Sequence, residues 1–161
     1  ASSQQLLAHP RQVFYVSMGG FDTHDNQISD QPRLLQGLSN ALFAFNADIQ
    51  ARGLANNITS FTMSDFGRTL TSNGDGTDHG WGGHQIIMGG AVKGGDIYGT
   101  IPADFTLNSN DDLGDGRIIP TTSVDEYAAT LAKWFGLSVN EINAVFPNLA
   151  RFNQSDIGFI L

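Results

Sequence analysis

VFYVSMGGFDTHDNQ, residues 13–27, joins an apolar run to a loop that carries two glycines, Asp22 and His24. Val13–Met18 is β-branched and aromatic with little alternation, the pattern of a strand buried on both faces. Asp22 and His24, two positions apart just after it, fit either an ordinary polar turn or a metal site at the carboxyl end of a parallel sheet. The residues that follow decide how the chain is laid out.

Asp30 is placed to cap a helix with Pro32 in its first turn. Leu34, Leu38, Leu42, Phe45 and Ile49 then recur at helical spacing up to Gly53, a stripe that a buried helix face explains without a cofactor. Ile58–Ser64 (ITSFTMS) reads as a second strand, running into the polar loop DFGRT. Strand, long helix and strand make a βαβ unit, which predicts a parallel sheet with a right-handed crossover.

The stretch from Thr69 to Gly99 is dense in glycine, suited to close backbone approach or to a long flexible turn. Within it Gln85–Val92 reads as a strand and Lys93–Gly95 as a turn. Asn108–Gly116 (NSNDDLGDG) is an acidic loop without the spacing or closing Glu of a helix-loop-helix calcium site. Ser123/Glu126 and Ser138/Glu141 both fit a capping box. Tyr127, Leu131, Trp134 and Phe135 form the apolar face of the first of these helices, which ends at Gly136. Pro147 ends the second. No internal repeat is present.

With 161 residues, the chain is one domain's worth, able to bury roughly 70 % of its unfolded surface. A net charge of −8, built from 14 Asp and 2 Glu against 8 basic residues, opposes binding to nucleic acid. No apolar run is long enough to span a membrane. With no cysteine, disulfides and thiolate metal sites are excluded. The opening ASSQQLLAHP has neither an initiator Met nor a charged-then-apolar leader, so Ala1 reads as a processing or cloning boundary.

Four histidines are available. His9, beside Pro10, reads as a surface residue. His24, His79 and His84 lie in glycine-rich loops after strands. Imidazoles combined with carboxylates suit zinc, whereas carboxylates alone prefer magnesium or calcium. Neighbouring strands of an open α/β sheet deliver their carboxyl ends to one crevice, so Asp22, His24 and Asp65 are expected to face one another. Asp78 is either a further ligand or a partner that orients an imidazole. Arg68 either clamps an anionic ester oxygen or pairs with an aspartate. Trp81 reads as a loop anchor.

GGFDTH, SDFGRT, NGDGTDHGWGGH, GGAVKGG and IYGTIP, in this order and continuing through PTTSVDEYAATLAKWFG, resemble the C-terminal half of an uncharacterised bacterial family. It is the one catalogued as domain of unknown function 1501, a sulfatase-like branch of the alkaline-phosphatase superfamily. The resemblance implies a doubly wound, mostly parallel α/β sheet with helices on both faces, holding one or two metal ions at its carboxyl edge. It implies hydrolysis or transfer of phosphate or sulfate esters, with a divalent ion, foremost zinc and otherwise Mg, Mn or Ca. On this chain Asp22, His24 and His79 resemble one ligand group and Asp65 part of a second. Two departures stand out. Only one residue separates Asp22 from His24, and Phe66 stands where a His is usual, leaving His84 or Asp78 to substitute.

The same resemblance leaves the nucleophile outside this chain, because neither Ser17 nor Ser64 has a neighbouring base in sequence. The chain is therefore expected to be an incomplete catalyst, with an N-terminal polypeptide or parent chain completing the sheet. The expected location is periplasmic or extracellular. Two functions follow: a metal-dependent hydrolase of anionic esters, or a non-catalytic metal-binding or structural module that kept the fold.

Overall fold

The computed structural model describes residues 11–152 and 154–161. His9 lies outside the described residues. The described elements are three α-helices, four short strands and two 3-10 turns.

Helix α1 spans Gln27–Ala51. It begins three residues before Asp30, behind Asn26 in a left-handed conformation whose side chain makes no cap, so Pro32 falls inside the helix. The expected stripe does face inward: Leu34, Leu38 and Leu42 are half-buried and Ile49 is 2 % exposed, although Phe45 stays largely in solvent. The helix thus rests on the molecule by one narrow face. A Cβ on Gly37 would lie 3.2 Å from the Met18 methyl and one on Gly20 3.1 Å from Leu34, so residues 18–20 run close to the helix.

The sheet expectation is overturned. The described residues contain no doubly wound parallel sheet; their strands form two separate antiparallel pairs. Strand β1 (Thr59–Phe61) pairs with β4 (Ile87–Gly89), Ser60 opposite Met88. Strand β2 (Gly67–Ser72) pairs with β3 (Thr77–Gly80). Val13–Met18 is not a strand. It runs without backbone hydrogen bonds among the described residues, with Tyr15 and Val16 each 89 % exposed. The preference of β-branched and aromatic residues for strands expresses packing against neighbours, and no strand among the described residues pairs with this run. Without it the βαβ unit does not exist. The DFGRT loop is likewise corrected, since Gly67–Thr69 open β2. The strand expected over Gln85–Val92 shortens to β4, followed by a single bridge from Val92 to Ile160.

The β2–β3 hairpin is built by its turn. Asn73 N–H donates to the Gly76 carbonyl, the Gly76 N–H returns to Asn73 Oδ1, and Ser72 Oγ donates to the same carbonyl. Pairing slips in register between Arg68 and Ser72. At the slip the buried Thr69 hydroxyl takes the place of a strand partner: it donates to the Thr71 carbonyl and accepts from the Asp78 N–H.

Both capping boxes form. Ser123 and Glu126 open α2 (Val124–Phe135), which Gly136 closes at φ 102°; Ser138 and Glu141 open α3 (Val139–Val145). Pro147 follows α3 and begins a 3-10 turn. Helix α2 carries the core on two faces. Tyr127 and Leu131 pack on Phe159 and Ile87, while Ala129 packs on Ile142 and Leu149. The Tyr127 hydroxyl donates to the Thr62 carbonyl, tying α2 to the end of β1. The carboxyl-terminal residues return along residues 91–93, with Lys93 N–H donating to the Phe159 carbonyl and Leu161 N–H to that of Ala91.

Candidate metal centre

Asp22 and His24 leave the chain in two successive three-residue turns, Thr23 N–H to the Phe21 carbonyl and His24 N–H to the Asp22 carbonyl. This tight path turns both side chains toward the hairpin. His79 comes from β3, opposite Arg68 on β2. Docking of the loop on the hairpin is a backbone matter. Arg68 donates to the Phe21 carbonyl at 2.5 Å and to the Thr77 carbonyl at 2.7 Å, clamping loop to strand. Gln27 N–H donates to the Asp75 carbonyl, and Thr77 Oγ1 to Gln27 Oε1, fixing the start of α1. Gly76 lies so close to the loop that a Cβ there would sit 2.3 Å from the His24 carbonyl oxygen and 2.6 Å from that of Thr23. Only glycine fits without backbone movement.

Donor atoms from Asp22, His24 and His79 lie within 4.8 Å of one another. Asp22 Oδ1 is 2.9 Å from His24 Nε2 and 2.7 Å from His79 Nε2. The imidazoles stack with centroids 5.0 Å apart. The hydrogen bond from His79, with the nearby Arg68 guanidinium, holds the Asp22 carboxyl below the usual carboxylate range, against a partial loss of hydration. Asp22 is 60 % exposed, His24 44 % and His79 47 %, so the group opens to solvent. Beside it Thr23 is buried, its hydroxyl without a hydrogen-bond partner among the described residues.

The surroundings differ from one imidazole to the other. Phe66 lies flat on His79, and the Arg68 guanidinium carbon is 5.1 Å from the Phe66 ring centre. His24 meets a carboxylate instead, with Asp78 Oδ1 3.3 Å from Nδ1.

The sequence placed Asp65 in this group. The structure leaves it out, because β1 ends at Phe61 and residues 64–66 form a turn closed by Ser64 Oγ on the Phe66 carbonyl, with Asp65 exposed. His84 lies in the irregular stretch between β3 and β4, exposed and likewise outside the group. Arg68, read as an ester clamp or an aspartate partner, is 17 % exposed and lies 3.6 Å from Asp22 Oδ1, with two of its nitrogens on carbonyls. Sequence reasoning missed the role of Phe66 as a plate against His79 and of Gly76 as the point of closest approach. The dipeptides Asn73-Gly74 and Asp75-Gly76 were the available turn signal.

Two imidazoles and a carboxylate match the ligand chemistry of zinc. Ligand atoms of one tetrahedral zinc ion stand about 3.4 Å apart, close to the spacing of this group, so the residues fit a single ion.

No curated protein and no solved structure matches this chain. A family model described as "Protein of unknown function (DUF1501)" matches residues 3–146. That match covers most of the sequence, Asp22, His24 and His79 included, and the chain therefore belongs to the DUF1501 family.

Proposed function

We propose that this protein is a metal-dependent hydrolase of phosphate or sulfate esters, with one divalent ion, foremost zinc, held by Asp22, His24 and His79. The observation that carries the reading is the convergence of these three donors in a group that stays open on one side. Structural zinc sites are closed by four protein ligands, whereas catalytic ones have three and leave a position free. The ester class rests on the resemblance of the motif string to the sulfatase-like branch.

A bound divalent ion supplies Lewis acidity toward an ester oxygen. The chain's own residues do the remainder. Asp22 contributes the charge-neutralising donor. Phe66 keeps the His79 ring in plane. Arg68 braces the loop and adds positive charge beside Asp22, favouring an anionic substrate. Acidic surroundings elsewhere and the net charge of −8 disfavour nucleic acid as the ester. No helix among the described residues is long and apolar enough to cross a membrane.

The partner we propose is an N-terminal polypeptide or parent chain that covers Val13–Met18. Val13, Phe14, Tyr15 and Val16 are all exposed on one extended segment, and apolar patches of that kind mark interaction sites. We place the protein in the periplasm or outside the cell. A second reading, a metal-binding module without chemistry, is favoured by one observation: two Arg68 nitrogens are already occupied by backbone carbonyls.

Metal content after purification without chelator, followed by a panel of aryl phosphate and sulfate esters, tests the proposal. One equivalent of zinc is expected on this chain, and chelator-sensitive turnover once the N-terminal polypeptide or parent chain is present. Zinc without turnover on any ester in that completed form selects the module, and absence of zinc affinity overturns both readings.

A further inference from the structure

The two ring nitrogens of His24 meet two different carboxylates. Nε2 is 2.9 Å from Asp22 Oδ1, inside the three-donor group; Nδ1 is 3.3 Å from Asp78 Oδ1, outside it. These nitrogens diverge, so a group on Nδ1 cannot share an ion with Nε2. Asp78 is itself held in place. Its N–H donates to Thr69 Oγ1 at 3.1 Å, and Asn73 Nδ2 donates to its Oδ1 at 3.4 Å. Successive strand residues ordinarily face opposite ways. Here Asp78 and His79 both bear on His24, on the strand segment that faces the register slip.

We propose that Asp78 is a positioning residue that fixes His24 with its proton on Nδ1 and its Nε2 lone pair toward Asp22 and His79. Carboxylates face both ring nitrogens, and an ion held between Asp22 and Nε2 would commit the Nε2 lone pair to the metal. The one hydrogen of the neutral imidazole then belongs on Nδ1, toward the Asp78 carboxylate, which can only accept. The inference rests on the metal reading given above, and adds to it the residue that prepares one ligand. Carboxylates in that place set ring orientation and tautomer, and their loss weakens metal affinity by about 10–100-fold.

Zinc alone is the probe. Affinity is measured on the full chain by competition with a chromophoric chelator, and the His24 ring nitrogens are read by 15N NMR in the zinc-loaded protein. Wild type is expected to bind one zinc with His24 ligating through Nε2 and protonated on Nδ1. Asp78→Ala should weaken zinc by about 10–100-fold and mix the His24 tautomers, while Asp78→Glu restores both. Asp78→Asn, nearly the same shape without the charge, serves if the alanine variant unfolds, and it too should bind zinc more weakly. His79→Ala should weaken zinc but leave the His24 tautomer as it is. Wild-type affinity in both the Ala and Asn variants, or ligation through Nδ1, overturns the role of Asp78 alone. Failure of the wild type to bind zinc overturns the metal reading and this inference together.

Discussion

The Phe66 ring lies 4.0 Å from the His79 imidazole, centroid to centroid, with the two planes 4° from parallel. Phe66 cannot ligate, yet it bears directly on a residue that can. Replacing it with leucine keeps apolar bulk and removes the flat face. Phe66→Leu should cost about 1 kcal/mol of stability, read by urea unfolding. The His79 ring protons should lose their ring-current shift, whereas Phe66→Tyr should retain it.

Gly76 is predicted to be intolerant of any side chain. An alanine Cβ would meet two carbonyl oxygens of the Asp22–His24 loop, neither of which is the end of a flexible side chain. Gly76→Ala should cost roughly 1–3 kcal/mol and weaken zinc, measured by denaturation and by titration of the same variant. Gly74→Ala, next door in the turn, meets no neighbouring atom but has φ 120°, so it should affect the turn while leaving the loop contact intact.

Asp156 gives the protein an acid-sensitive tie. Lys133 Nζ lies 2.6 Å from its carboxylate, joining α2 to the chain end, and this bond holds the Asp156 carboxyl below its ordinary value of 3.8 despite partial burial. A carboxyl lowered by folding stabilises the folded state above the ordinary value, and that contribution disappears as pH falls through the lowered one. Asp156→Asn should therefore be less stable than wild type at pH 6, with the difference shrinking below about pH 4. Thermal unfolding across that range checks it.

Tyr127 is buried and its phenol pKa is pushed up by loss of hydration. Its hydroxyl is the link from α2 to the Thr62 carbonyl. Tyr127→Phe should keep the packing on Phe159 and cost about 1 kcal/mol, seen as a lower denaturation midpoint with an unchanged denaturant slope.

Local signals in this chain were legible where the structure is local. The Leu34–Ile49 stripe apart from Phe45, both Ser/Glu capping boxes and Gly136 act within a turn or two of themselves, and the structure contains them, although Asn26 and not Asp30 precedes the long helix. Strands depend on partners far along the chain. Val13–Met18 has the composition of a buried strand and no strand paired with it among the described residues, while the polar GRTLTS forms one because the Asn73–Gly76 turn folds Thr77–Gly80 back on it. The site was read from an incorrect sheet, yet Asp22, His24 and His79 meet, because the loop and the hairpin converge without a shared strand order. Asp65, which both the expected strand order and the family resemblance bring to the metal, falls outside the group. The Asp78 alternative, a partner to an imidazole, needed the distance to Nδ1 to be distinguished from a ligand.

Asp22 and His79 stand 57 positions apart, and all of α1 and β1 lies between them. In a polypeptide without cysteine, an ion held as proposed by both residues would be a removable cross-link. On the loop-entropy scale used for disulfides, closing a loop of that length takes about 4 kcal/mol of freedom from the unfolded chain. A chelator would then cost this protein stability, as a reductant does a disulfide-stapled one, while the hydrogen bonds of Arg68 and Gln27 still join loop and helix to the hairpin.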